Sequence, residues 1–195
     1  AKPDFMVCKK YSTGGNNWVI WHKSIGATKY LMFTNAQEGT DATLFNSHTN
    51  DSDNLWSLGT NNSISDTGQS AVAYLWCDVP GLQKFGSYTS NNNADGPFIE
   101  LGFRPAILWF KDSSGTSNWA VYDTTRSPYN CSNDRLRLNT ADVEGNVQRV
   151  DILSNGFKIR STSFPNATDS TTTFIYCVWG DQAMNNMFGA QSNAR

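Results

Sequence analysis

The sequence predicts an all-β protein, a two-sheet antiparallel β-sandwich of jelly-roll or concanavalin-like type built from an internal duplication. Three observations predict it. Short apolar runs alternate with stretches crowded by Asn, Ser, Thr and Gly, and aromatics make up 13% of the 195 residues against only 16% charged, a turn-rich β composition. No stretch sustains the 3.6-residue spacing of a helix. The apolar blocks also recur at an offset of roughly one hundred residues, the signature of a repeated unit.

The recurrence runs through five blocks. Pro3 to Lys9 followed by Asn17 to Trp21 is answered by Pro105 to Lys111 followed by Asn118 to Tyr122. Leu31-Met32-Phe33 is answered by Leu136-Arg137-Leu138, Ala73 to Cys77 by Ile175 to Trp179, and Phe85-Gly86 by Phe188-Gly189. The repeats span approximately 1–89 and 98–195, and they are expected to interleave in one domain covering 1–195. An all-β chain of this length commonly forms a single core. The stretch Tyr88 to Arg104 leads into the second copy, and the first copy starts at Ala1 without such a leader. Ala1 is therefore expected to be an internal or processed position of a longer polypeptide.

In chain order, Asp4 to Lys9 reads as a strand closed by a Thr13-Gly14-Gly15-Asn16 turn, and Trp18 to His22 as its hairpin partner. Lys29 to Asn35 alternates again, with Leu31 and Phe33 on one face. Glu38 to Asn54 is polar and aperiodic, so it reads as a long loop broken only by Leu44-Phe45. Loops of that length often carry function. Asn54 to Leu58 and Asn155 to Ile159 match as strands, each followed by a polar arc that leads to the strongest strand of its copy. Val79 to Leu82 is a turn, and Asp181 to Phe188 supports one helical turn at most. The count is about ten to twelve short strands, which must pack as two sheets or close on themselves; the sandwich is preferred to the barrel.

Composition excludes several classes of function. A net charge of −2 without a basic run argues against nucleic acid, whose phosphates need clustered Lys and Arg. All Arg residues lie at or after Arg104; drift explains this, or an Arg-lined surface for an anionic ligand on the second copy. No apolar run approaches the length of a membrane span. Cys8, Cys77, Cys131 and Cys177 lack metal-ligand spacing and read as reduced thiols, although Cys77 and Cys177 fall on matching strands where a bridge is conceivable.

Catalytic constellations are equally sparse. Glu38, Glu100 and Glu144 are the only glutamates, and none has a carboxylate two residues along a strand, as a glycosidase of this fold class would need. His22 and His48 are far apart and read as polar residues pointing to solvent, without the partners of a triad. No catalytic residue, metal or cofactor is expected. Asn91 to Gly96 has oxygen donors that suit calcium, but the same residue types make tight turns, which is the preferred reading. Sugar binding would need an exposed aromatic beside polar groups. Trp18, Trp21, Trp56, Trp119 and Tyr122 are mostly assigned to the core because they fall where the copies agree. The loop aromatics Tyr129 and Phe164, with Arg126 and Asp169, form the candidate ligand-binding set.

Lys84 to Ala106 carries the motif K-F-G-S-Y-T-x-N-x-x-A-D-G-P-F-x-x-x-G-F-R-P-A. With Trp18 to Leu31, Asp151 to Lys158 and Thr173 to Trp179, it resembles a two-repeat module of structural proteins from marine and cyanobacterial tailed phages. The resemblance covers nearly the whole chain and departs from the family at Gly180-Asp181-Gln182-Ala183, where Ala-Glu-Asn-Pro is usual. It implies a non-enzymatic virion component, a tail-fibre or appendage module assembled in the host cytoplasm that engages a host surface glycan. Its partners would be other virion proteins and copies of itself, a trimer being favoured. A capsid decoration or cement protein is the alternative reading, and a polysaccharide depolymerase the second alternative.

Overall fold

The computed structural model describes residues 1–12, 14–48, 56–167 and 169–181. These form thirteen strands: β1 (Phe5–Lys10), β2 (Val19–His22), β3 (Lys29–Met32), β4 (Gly39–Thr40), β5 (Ala71–Trp76), β6 (Gln83–Thr89), β7 (Phe98–Glu100), β8 (Pro105–Asp112), β9 (Ala120–Asp123), β10 (Ser132–Arg137), β11 (Gly145–Leu153), β12 (Gly156–Ile159) and β13 (Thr173–Gly180). They make two antiparallel sheets, one of five strands in the order β4-β3-β2-β1-β5 and one of eight in the order β6-β13-β8-β9-β10-β11-β12-β7. The sandwich expected from the sequence is the fold.

The four-strand arrangement β3-β2-β1-β5 recurs in the larger sheet as β10-β9-β8-β13, register for register. Phe5 to Cys8 pair with His22 to Val19, and Ile107 to Phe110 pair with Asp123 to Ala120. On the other side, Phe5 to Lys10 pair with Trp76 to Ala71 and Ile107 to Asp112 with Trp179 to Phe174. Leu31 stands beside Ile20 as Leu136 stands beside Val121. One sequence pairing is corrected: Trp76 answers Trp179 and not Val178, a slip of one residue that exchanges the two faces of the strand. Cys77 then lies beyond the end of β5 while Cys177 is buried within β13, and all four cysteines are free.

The apolar interior is divided into three. The first cluster fills the space between the sheets, with Phe5, Val7, Ile20 and Leu31 facing Trp119, Ile175 and Cys177. The second lies on the opposite face of the larger sheet, where Phe110, Phe157, Phe174 and Tyr176 meet. Phe110 on β8 and Phe157 on β12 have ring centroids 5.2 Å apart, whereas four strand steps in a flat sheet span about 19 Å. The eight-stranded sheet therefore rolls over on itself, and Lys84 Nζ at one end donates to the Glu100 carbonyl at the other, at 3.1 Å. β13 lies within this arrangement with both faces covered: Ile175 and Cys177 face the first cluster, and Phe174, Tyr176 and Val178 the second.

The third cluster covers the outside of the smaller sheet. Met6, Cys8 and Val19 meet Leu44, Phe45 and Ile64. Within the described part of the expected loop, Gly39–Thr40 forms β4, and Leu44 and Phe45 pack down to shield β1 as β11 and β12 shield β8. The expected strand at Asn54 to Leu58 is not formed over Trp56 to Leu58, where the chain is irregular; its first two residues lie outside the described ones, as does Asp181 to Phe188 after its first residue. Lys29 to Asn35 is strand only as far as Met32.

The histidines depart from their expected roles. His22 is fully buried, donating from Nε2 to the Tyr176 carbonyl and accepting the Ser24 N–H at Nδ1. His48 is half-buried against Trp21 and Phe45. Strand-end polarity was the only signal in the sequence, and it does not reveal that a second sheet covers the strand end.

Candidate ligand cleft

Residues two apart on a strand share a face, which places Tyr74 and Trp76 of β5 on the side that looks toward the larger sheet. Val7 of β1 lies opposite Tyr74 in the ladder. Trp18 just before β2 and Phe33 just after β3 complete the smaller sheet's contribution, and Trp109 of β8 faces them from the other sheet. Between these six residues lies an open cleft of about 280 Å³.

Its size follows from the side chains. Sheets stack about 10 Å apart, and Val7 is too short to bridge that gap where aromatic rings flank it. The rings close around the space instead. Tyr74 stacks on Trp76 with centroids 6.2 Å apart, and Trp18 tilts against Tyr74 at 6.1 Å. Lys9 Nζ sits 5.4 Å from the Trp18 ring centre, within cation–π range. Tyr74 is 50% exposed, so its ring is reachable from solvent. Among the described residues, the indole N–H groups of Trp18, Trp76 and Trp109 donate to no protein acceptor, whereas that of Trp119 is held by the Met32 carbonyl at 2.8 Å.

The lining contains no carboxylate, imidazole or thiol. Such a cleft offers stacking faces and a few N–H donors, with no group for acid–base or nucleophilic chemistry. Among the described residues no cluster of three or more His, Cys, Asp or Glu is arranged to hold a metal, and no helix is long and apolar enough to cross a membrane.

A family model described as a domain of unknown function, DUF7483, matches residues 1–183. The chain belongs to the DUF7483 family. No curated protein and no solved structure matches it.

The DUF7483 domain does not gather the four loop residues named from sequence. Tyr129 is 84% exposed on the β9–β10 loop. Arg126, in the same loop, is committed to Asp123 and Glu144. Phe164 packs edge-on against Phe174 and lines a separate pocket. The Asp169 carboxylate accepts from the backbone and hydroxyls of Thr171 and Thr172, which hold its pKa far below the usual carboxylate range. Among the described residues no hydrogen bond, ion pair or ring contact links the four. In the Asn91 to Gly96 stretch, Asn91 and Asn93 accept the N–H groups of Asn93 and Asp95. Asp95 pairs with Lys158 and Arg160, so these oxygens serve the turn and its packing.

In the DUF7483 domain the tryptophans divide. Trp119 and Tyr122 are fully buried, while Trp18, Trp76 and Trp109 are half-buried around the cleft. Agreement between the copies marks strand position and does not tell which member of a matched pair borders a gap. The usable signal was Val7, the small residue where the second copy has Trp109.

Proposed function

We propose that this chain is a non-enzymatic module of a tailed-phage virion, of tail-fibre or appendage type, which holds host-surface glycan in the aromatic cleft between its sheets. The observation that carries the proposal is the cleft itself: Trp18, Tyr74, Trp76 and Trp109 line one solvent-open space. The apolar face of a pyranose stacks on such rings, and the ring N–H groups and Lys9 are available to its hydroxyls. The motif of Lys84 to Ala106 supports the virion setting by resemblance. Affinity per cleft would be weak, and several copies on one particle would raise it. A glycan array probed with the purified chain, followed by calorimetry on Tyr74→Ala, tests the reading. Binding that Tyr74→Ala removes supports it, and an array without hits among host envelope glycans rejects it.

One observation favours a second reading, a structural virion protein. β5 is the end strand of the smaller sheet, and Ala71, Ala73 and Leu75 on it are exposed. An apolar edge strand that no other described strand pairs, beside an apolar cleft, suits another protein chain as well as a sugar.

A further inference from the structure

Away from the aromatic cleft, and sharing no lining residue with it, a pocket of about 240 Å³ is bordered by Ser117, Asn118, Ala120, Arg135, Arg137 and Phe164. Arg135 of β10 belongs to this lining, and Arg149 of β11 and Tyr122, outside the lining, lie near it; among the described residues neither guanidinium has a carboxylate within ion-pair distance. Arg135 Nε and Arg149 Nε are buried without a hydrogen-bond partner, and the Tyr122 hydroxyl is buried beside the Arg135 side chain, which interacts with it. Among the described residues, the Arg149 guanidinium donates only to the Phe164 carbonyl. The third arginine, Arg137, is paired at the rim with Asp142.

Buried donors in native proteins are nearly always satisfied, and like charges set close together in a half-buried site repel. Burial and the neighbouring Arg135 both lower the pKa of Arg149, and burial pushes the Tyr122 phenol up to about 12, so it stays protonated and able to donate. Gly145 stands opposite Arg135 in the ladder and has no side chain to cover the guanidinium; a Cβ there would come 3.4 Å from Arg135 Nη2.

We propose that the pocket lined by Arg135, Ser117 and Asn118 is an oxyanion-binding site, which takes a carboxylate or sulfate group on the Arg135 guanidinium, the cation in its lining that no carboxylate among the described residues pairs. A planar guanidinium fork matches either group with two parallel hydrogen bonds. Asn118 and Ser117 are placed to meet the remainder of a ligand, and the Phe164 ring gives it an apolar wall.

The test measures thermal midpoint and calorimetric binding with sodium sulfate, sodium glucuronate and neutral glucose, with chloride matching ionic strength. Saturable binding of sulfate or glucuronate, with a raised midpoint, and none of glucose is the expected result. Response to glucuronate alone assigns the site to a sugar carboxylate; response to sulfate alone assigns it to a sulfate ester or free sulfate. Arg135→Gln should weaken binding about tenfold or more without lowering the anion-free midpoint, because it removes a like-charge contact. Arg135→Lys should recover part of the binding, and exposed Arg104→Gln should change nothing. No saturable response to either anion, or equal binding by wild type and Arg135→Gln, overturns the proposal. Tyr74→Ala should leave this binding intact, so failure of the cleft reading and failure of this one are distinguishable.

Discussion

His22 of the smaller sheet and Tyr176 of the larger are joined by a hydrogen bond, imidazole Nε2 to main-chain oxygen, at 3.1 Å. Because Nδ1 accepts the Ser24 N–H at 3.2 Å, Nε2 carries the proton and the ring is neutral. Burial holds its pKa down to about 4 from an ordinary 6.5.

A pH dependence follows from that depression. A group whose folded pKa lies below its unfolded value favours the fold while neutral, so the contribution is complete above about pH 6.5 and is lost as pH falls through about 4. The full loss is on the order of 3 kcal/mol. Urea unfolding between pH 7 and 4 should show it, and His22→Gln should flatten the profile over that window.

Trp119 and Trp18 occupy matching places before β9 and β2 and should respond differently to mutation. Trp119→Phe removes the indole donor from the Met32 carbonyl and leaves a void in a fully buried site, at a cost of about 2–4 kcal/mol. Trp18→Ala should reduce glycan binding far more than it reduces stability, as read from paired calorimetry and denaturant unfolding.

Phe157 tests the rolling of the larger sheet. Its ring is fully buried against Phe110 and Tyr176, so Phe157→Ala should cost about 3–5 kcal/mol. Tyr129→Ala, at an exposed ring, should stay within about 0.5 kcal/mol of wild type. Equal effects on the unfolding midpoint would contradict this packing.

Gly156 fixes how closely β12 and β7 approach. A Cβ at Gly156 would lie 2.1 Å from the Ile99 carbonyl oxygen, so the strands would have to part. Gly156→Ala should destabilise by roughly 2 kcal/mol or more, and hydrogen exchange should show the loss first at Phe98, Ile99 and Lys158.

The fold class, the β1, β2, β8, β9 and β13 strands and the recurrence of their order were legible in the sequence, because apolar blocks of strand length separated by turn residues specify local structure directly. The both-face burial of β1 and β13 was also written there, in the unalternating runs Phe5-Met6-Val7-Cys8 and Phe174-Ile175-Tyr176-Cys177-Val178. Only the tertiary structure decided what covers those faces, which tryptophan of a matched pair borders open space, that His22 lies beneath a second sheet, and that Arg135 and Arg149 lie near one another with no carboxylate paired to either among the described residues. The physical reason is range. Alternation and turn chemistry act between near neighbours, whereas a cleft or an unpaired charge is set by the distance between strands remote in sequence, which no local pattern encodes.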